Sequence, residues 1–152
     1  MDESKRAELL DTYYRPHHRR FSEVVAELLN KAGQVLIIDR HSFPSRPWPY
    51  ELNQDKDRLD ICIGTDSFHT QQWLLDTLKE TFQKLGYSVA VNHPFTGAIV
   101  PLPYYSQEAR VLSIMIEINR KLYMDGKTGE KGLLFAIVKE NIATVLSHVL
   151  HA

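Results

Sequence analysis

The stretch that decides the fold is Val35–Phe43, with the sequence VLIIDRHSF, in which an aliphatic run stops abruptly at polar side chains. Four consecutive aliphatic residues predict a central strand of a parallel sheet, buried on both faces. The polar residues that follow would lie at its carboxyl end, where open α/β folds place their ligands. His41 is therefore the first candidate for chemistry. The strand pattern alone supports equally well a hydrogen-bonded histidine in a loop.

The rest of the chain alternates between helical and strand patterns. Apolar residues recur at helical spacing before and after Pro16, which predicts two helical segments with a break there and a cap at Gly33. A further helix is expected to begin after Thr70 as its N-cap. The remaining predicted elements are strands at 59–64, 87–92 and 111–119, an extended segment at 98–102, and helices through 85 and over 130–150. This alternation predicts a single α/β domain over residues 1–152, with a mixed, largely parallel sheet flanked by helices.

Composition limits the classes of function. The 152 residues carry 18 Lys and Arg against 19 Asp and Glu, a net charge of -1, so no summed field favours nucleic acid or an anionic membrane. The single cysteine, Cys62, excludes an intramolecular disulfide and is expected to be a buried thiol in a reducing compartment. No apolar stretch approaches the length of a membrane span. We therefore expect a cytoplasmic protein with neither nucleic acid nor membrane as its partner.

A second candidate is Glu117, which interrupts the aliphatic strand predicted at 111–119. A buried carboxylate is costly unless it meets a cation, a metal or a proton donor. The alternative is that strand alternation turns Glu117 to solvent at a half-exposed edge. Together with Asp39 and His41, Glu117 supplies an imidazole ligand, a carboxylate that orients it and a general base, the elements of metal-activated water. No His-Glu-x-x-His or Cys-x-x-Cys spacing completes a zinc shell, so spacing alone is weak support.

Five ordered motifs resemble the N-formylglutamate amidohydrolase family over residues 10–125. They are YRPHH at 14–18, IDRHSFPS at 38–45, DICIGTD at 60–66, NHPFTG at 92–97 and IEINRKLYM at 116–124. The resemblance implies part of the zinc-dependent exopeptidase (phosphorylase/hydrolase-like) fold. It also implies zinc as cofactor and hydrolysis of the amide of a small N-formyl or N-acyl amino acid, such as N-formyl-L-glutamate.

The resemblance further implies roles for individual residues. His41 matches the family's zinc-ligand histidine, and Glu117 matches the glutamate that activates water. In members that act in histidine degradation, the substrate loop carries an arginine, whereas this chain has His93-Pro94 there. Arg120 or Arg46 would then supply the cation, because a guanidinium binds carboxylates bidentately. The expected substrate-binding set is Asn92, His93, Gly97, Arg120 and Arg46.

The sequence departs from the family pattern at its amino-terminal end. Complete members begin with a Pro-His-Ser or Pro-His-Ala-Gly motif and a following Thr-Asp, which supply upstream metal-binding groups that are missing here. The chain thus resembles the carboxyl-terminal part of the family domain. Three hypotheses follow: a zinc-dependent amidohydrolase, a catalytically inactive truncated member that forms a structural or dimerising α/β module, and a metal or small-anion binding module. The second expects an exposed apolar sheet edge and a homodimer.

Overall fold

A computed structural model of the chain describes residues 2–151. The chain forms two compact units, Met1–Ile37 with Val100–Leu112 and Ile38–Ile99 with Ser113–Ala152. The expectation of one α/β domain over residues 1–152 stays a prediction. Within the described residues, every helix is too short or too polar to cross a bilayer. The cytoplasmic location stays a prediction as well.

The first unit begins with a helical run. Helix α1 (Glu3–Leu9) continues through a π-helical turn at Leu10–Tyr14 into α2 (Arg15–Ala32). Two helical segments thus meet near Pro16 as the sequence predicts, but through a π turn rather than a break. Pro16 lies in the first turn of α2, where its missing N–H needs no partner.

The end of α2 leads directly into the core of this unit. Gly33 has a φ of 78° and donates its N–H to the Leu29 carbonyl at 2.8 Å, so the predicted cap is confirmed. A buried cluster then joins the helix to Val35, in the strand that follows, and to Val111, much further along the chain. Its members are Val25, Leu29, Val35 and Val111, with Phe21, Ile37, Val100 and Tyr104 packed against it.

A four-stranded sheet in the order β1-β4-β2-β3 organises the fold. The strands are β1 (Val35–Phe43), β2 (Ile61–Gly64), β3 (Val89–Val91) and β4 (Val111–Asn119). β2 runs parallel to β3 and antiparallel to β4, which confirms a mixed α/β sheet. All nine residues of β4 are buried, and its bounds agree with the predicted strand.

The structure corrects the expectations for β1 in two ways. The strand lies at the edge of the sheet and not at its centre, because a short aliphatic run does not distinguish a central strand from a partly covered edge. It also extends to Phe43, so the polar residues after Ile38 lie within the strand, whereas the sequence predicted them at its carboxyl end. Asp39 and His41 therefore lie within the strand and, being two residues apart, on one of its faces.

Helix α3 (Gln72–Lys84) differs from its prediction at the beginning. Thr70 is not the N-cap: its hydroxyl donates to the Ser113 carbonyl at 2.6 Å and accepts the Asp66 N–H at 3.0 Å. The Thr70 hydroxyl thus binds the backbone of a strand residue, Ser113, instead of capping the helix. The buried face of α3 consists of Leu74, Leu78 and Phe82, whereas Trp73 is 40% exposed.

Helix α4 (Phe135–Leu150) begins five residues later than the sequence pattern suggested, after a short 3-10 helix at Arg120–Leu122 and a loop. Its buried residues are Val138, Val145 and Val149. Within the described part of the chain, residues 98–102, expected as an extended segment, form no strand and do not add to the sheet. This segment is instead held by Ser113, whose hydroxyl donates to the Ile99 carbonyl at 2.7 Å.

Candidate active site

Glu117 lies in the middle of the sheet with its carboxylate largely out of solvent. In β4 it is the register partner of Cys62 in β2, so the two side chains share a face. Glu117 is 8% exposed, which excludes the alternative that it points to solvent. In the part of the chain that the structure describes, its Oε2 is buried and has no hydrogen-bond partner. Cys62 is buried as expected, and its Sγ donates to the Phe95 carbonyl at 3.2 Å.

The electrostatics of this position favour the protonated carboxyl. Burial raises the pKa of Glu117 above its ordinary value, and this effect outweighs the electrostatic influence of His41 and Arg120, which lowers that pKa. The carboxylates of Asp39 and Glu51 raise the pKa further. Glu117 therefore holds a proton at a higher pH than an exposed glutamate does, which brings its pKa closer to that of a working base.

His41 is oriented by the carboxylate two residues before it. Its Nε2 lies 2.9 Å from Asp39 Oδ2, and the side chain is 51% exposed. Strand alternation explains the pair, because residues i and i+2 lie on the same face. The sequence expectation of a carboxylate that orients this imidazole thus agrees with the geometry.

Arg120 reaches the same site from the end of β4. It begins the 3-10 helix, and its Nε and Nη2 donate to the hydroxyl and carbonyl of Ser42 at 3.2 and 3.1 Å. Its charge lowers the pKa values of both Glu117 and Glu51. The structure therefore brings together three of the expected residues, His41, Glu117 and Arg120.

A cavity of about 400 Å³ opens beside Glu117. Two loops and β4 form it, and its lining residues are Glu51, Leu52, Asn53, Pro94, Phe95, Thr96, Met115 and Glu117. This volume falls within the range of small-molecule sites, and the walls combine apolar surface with a few polar groups. We call it the Glu117 pocket.

Sequence reasoning missed Arg58, which holds one wall of the Glu117 pocket in place. Its side chain is 1% exposed and forms an ion pair with Glu51. The guanidinium also donates to the carbonyls of Pro44 at 3.1 Å, Asn53 at 3.0 Å and Asp55 at 3.3 Å. No motif signals this role, because Arg58 and Glu51 lie in an irregular segment without periodicity.

Two phenylalanine rings complete the surroundings of Arg58. Its Cζ lies 5.9 Å from the ring centre of Phe43 and 5.7 Å from that of Phe95. The two rings are themselves 5.5 Å apart. Cation–π contact and the ion pair together fix the loop that carries Glu51 against the loop that carries Phe95.

The turn that follows β3 is held by hydrogen bonds to Thr65, the residue after β2. Asn92 has a φ of 56°, accepts the Thr65 N–H at 2.9 Å and donates to the Thr65 hydroxyl at 2.8 Å. Its amide therefore joins the turn to the end of β2. A Cβ at Gly64 would collide with the Met115 side chain and the Gly97 carbonyl, so glycine permits this close approach.

Two other expected binding residues lie outside the lining of the Glu117 pocket. His93 is half exposed, and its Nε2 lies 3.1 Å from Asp55 Oδ2. Arg46 is exposed. Gly97 has a φ of 95° and adjoins the lining residue Thr96. The expected substrate-binding set is therefore only partly brought together.

The zinc implied by the family resemblance does not fit these residues taken alone. A catalytic zinc has three protein ligands and a water. Among residues 2–151, no group of three or more His, Cys, Asp or Glu side chains could hold a metal ion. His69 is buried, and the Asp66 carboxylate accepts the backbone N–H groups of Phe68 and His69 at 2.8 and 2.9 Å. These residues thus serve the loop before α3.

Several solved structures are similar to this chain, two of them as follows. One is N-formylglutamate amidohydrolase from Ralstonia eutropha JMP134, with 25% identity, a TM-score of 0.77, and coverage of 97% of this chain and 54% of that one. The other is a gene product of Agrobacterium tumefaciens, with 22% identity, a TM-score of 0.61, and coverage of 98% and 56%, a likeness that shows the fold alone. The chain thus spans about half the length of the structures it matches.

Sequence comparison gives the family directly. None of the curated proteins matches the chain. The sequence model of the N-formylglutamate amidohydrolase family, however, matches residues 1–124, which is most of the 152 residues. The match includes β1, β2 and β4, and hence His41, Glu117 and Arg120. This chain therefore belongs to the N-formylglutamate amidohydrolase family.

Proposed function

We propose that this chain carries the general-base side of an amidohydrolase site that acts on N-formyl or other N-acyl amino acids. The observation that supports this most is Glu117, a buried carboxylate with an unpartnered oxygen beside a cavity of about 400 Å³. Leaving such a group without a partner costs stability. Local violations of this kind are typical of functional sites.

The proposed reaction is hydrolysis with Glu117 as the proton carrier. The carboxylate accepts a proton from water while the water oxygen forms a bond to the amide carbonyl carbon. The carbon–nitrogen bond then breaks, and Glu117 returns the proton to the leaving amine. The products are formate, or another carboxylate, and the free amino acid. A pKa that burial raises is suited to both halves of this exchange.

Arg120 is the proposed partner of the substrate α-carboxylate. Ser42 fixes one edge of the guanidinium, which leaves donors of Nη1 to bind an anion. A fixed guanidinium loses less conformational freedom on binding than a mobile one does. Asn92, His93 and Gly97 would act indirectly in this scheme, by shaping the turn that places Thr96 on the pocket wall.

Zinc enters the proposal as the metal that the family resemblance implies. His41 would provide one imidazole ligand, held by Asp39. When bound, zinc supplies Lewis-acid polarisation of a carbonyl and acidification of water. Since residues 2–151 form no three-ligand group, we expect weak zinc binding by this chain alone.

Formate release tests the proposal. The chain is assayed with N-formyl and N-acetyl amino acids, with added zinc and with a chelator, and its zinc content is measured after dialysis. We expect hydrolysis only with added zinc, loss of zinc on dialysis, and no activity in His41→Ala. Stoichiometric zinc that survives dialysis but is lost in His41→Ala would contradict weak binding. Activity unaffected by chelator and by His41→Ala would exclude zinc from the reaction.

A second candidate is a catalytically inactive α/β module that dimerises. The lack of a three-ligand group among residues 2–151 favours it, as does β1, a nine-residue strand at the sheet edge. In that case the chain would hydrolyse no N-acyl amino acid at any zinc concentration. Light scattering would give the mass of a homodimer, whereas a monomer at high concentration would argue against it.

A further inference from the structure

The charge of the Glu117 pocket bears on the substrate side chain. Of the described residues that line the cavity, two are carboxylates, Glu51 and Glu117, and none is lysine or arginine. A site for an acidic side chain normally presents a guanidinium or an ammonium group. Here the described lining residues would offer a substrate side-chain carboxylate no such group, and the ion pair of Glu51 with Arg58 leaves no net positive charge at that wall.

Arg58 does not supply the missing cation. It lies behind the wall with its side chain 1% exposed, and Glu51 neutralises its charge. Burial alone would raise the pKa of Glu51, but the hydrogen bonds from Arg58 and from the Trp48 N–H outweigh it, so the pKa is lowered. Glu51 therefore stays ionised and keeps the guanidinium occupied.

The three basic side chains expected in the binding set, Arg120, His93 and Arg46, all lie outside the cavity lining. Arg120 is the proposed partner of the α-carboxylate, which every N-acyl amino acid carries. His93 pairs with Asp55 at 3.1 Å, outside the cavity lining. Consequently, among the described residues that line the cavity, no lysine or arginine is available to an acidic substrate side chain.

The rest of the wall is suited to apolar contact. It includes Leu52, whose side chain is fully exposed, together with Pro94, Phe95 and Met115. An apolar substrate side chain would cover this surface and remove it from water. We infer that the pocket takes N-acyl amino acids with an uncharged apolar side chain, such as leucine or methionine, and disfavours N-formylglutamate. This inference rests on the proposed function and names its substrate class.

Calorimetric titration tests the inference without requiring turnover. The chain is titrated at pH 7 with N-formyl-leucine, N-formyl-methionine, N-formyl-glutamine and N-formyl-glutamate. Glutamine and glutamate have nearly the same shape, so this pair isolates the effect of charge. We expect the leucine and methionine compounds to bind at least about ten-fold tighter than the glutamate compound. N-formyl-glutamine should also bind tighter than N-formyl-glutamate.

Two contrary results have different meanings. Equal or tighter binding of N-formyl-glutamate would overturn the inferred substrate class and leave the proposed amidohydrolase site standing. Binding of none of the four compounds would overturn both the proposed site and the inference. Thus failure of the substrate class and failure of the function give distinct results.

A charge-adding variant locates the effect. Leu52→Arg places a cation at the pocket mouth, whereas Leu133→Arg adds the same charge at an equally exposed leucine outside the cavity lining. At about 0.15 M salt, charges more than about 8 Å apart in solvent are largely screened. We expect Leu52→Arg to raise the affinity for N-formyl-glutamate relative to N-formyl-glutamine by about ten-fold. Leu133→Arg should leave that ratio unchanged. No change in Leu52→Arg, or equal changes in both variants, would overturn the placement of the substrate side chain.

Discussion

Two carboxyl groups on neighbouring strands of one sheet have opposite surroundings. Asp60, directly before β2, accepts the Ser88 hydroxyl at 2.6 Å and the Ser88 N–H at 3.0 Å, and it pairs with Lys121 at 3.0 Å. Glu117, in β4, has an oxygen without a partner among residues 2–151. The sheet can therefore satisfy a partly buried carboxylate where stability is the only requirement.

The pKa values differ in the same sense. Burial would raise the pKa of Asp60, but the hydrogen bonds from Ser88 and the charge of Lys121 outweigh it, so the pKa is lowered. Burial dominates at Glu117, and its pKa is raised. The comparison shows that incomplete pairing is a local property of the Glu117 pocket and not of the sheet in general.

The largest expected effect is on catalysis. Glu117→Gln keeps the shape of the side chain and removes the base, so kcat/KM for an N-formyl amino acid should fall by about a hundred-fold to ten-thousand-fold. Asp60→Asn is the matched control, since it neutralises a carboxylate outside the cavity lining and should retain most activity. Full activity in Glu117→Gln would remove Glu117 from the mechanism and leave it as a structural carboxyl group near Arg120.

The next effect is on stability, at Asp60. Asp60→Ala removes two hydrogen bonds to an ionised group and leaves Ser88 without its acceptor, which should cost about 2 kcal/mol of unfolding free energy. Denaturant unfolding at pH 7 measures this cost. Glu80→Ala, which breaks the exposed pair with Lys84, should change stability much less. Equal losses in the two variants would mean that Asp60 is not a structural anchor.

Substitution of Glu117 should change the unfolding free energy in the opposite direction. Because its pKa is raised in the folded protein, the ionised form costs stability at neutral pH, and Glu117→Gln should raise the unfolding free energy by about 1 kcal/mol. This gain should shrink as the pH falls through the raised folded pKa, and vanish below the ordinary glutamate pKa. The stability from Asp60 is instead present above the ordinary aspartate pKa and lost as the pH falls through its lowered folded value.

Unfolding curves measured from neutral to acid pH distinguish the pH range over which Glu117 affects stability from the range over which Asp60 does. The difference between Glu117→Gln and the unchanged chain should close at a higher pH than the difference between Asp60→Asn and the unchanged chain. A destabilised Glu117→Gln at pH 7 would show that the carboxylate has a stabilising partner in solution. The comparison between Asp60 and Glu117 would then lose its basis.

The same pair of groups shows what the sequence could and could not predict. Glu117 could be identified from the sequence because one ionisable residue inside a nine-residue, mainly aliphatic strand is a local anomaly. The bounds of β4 also agree with those predicted. The pairing of Asp39 with His41 could be predicted for a similar reason, since the alternation of side chains along a strand is a local rule. The edge position of β1 could not be predicted, because strand order depends on pairing between segments that are distant in the sequence.

Partners in irregular segments were also beyond sequence reasoning. Ser88 lies 28 residues after Asp60, and nothing near either residue indicates that they meet. The Arg58–Glu51 pair lies in a loop without periodicity, so no pattern predicts that it supports the Glu117 pocket. The candidate reactive residues could thus be found from local anomalies in the sequence, whereas the residues that position them are apparent only in the folded structure.

The smallest expected effect is that of replacing Lys121. This variant separates the contribution of the Lys121 charge to the stabilisation of the Asp60 carboxylate from that of the Ser88 hydrogen bonds. The Lys121 side chain is 46% exposed, so its ion pair is screened by water and Lys121→Met should cost less than about 1 kcal/mol. The Ser88 hydrogen bonds remain in this variant and should keep the pKa of Asp60 below its ordinary value, though higher than in the unchanged chain. Carboxyl chemical shifts followed through a pH titration measure that value. If the pKa of Asp60 returned fully to the ordinary range, the Lys121 charge and not Ser88 would distinguish Asp60 from Glu117.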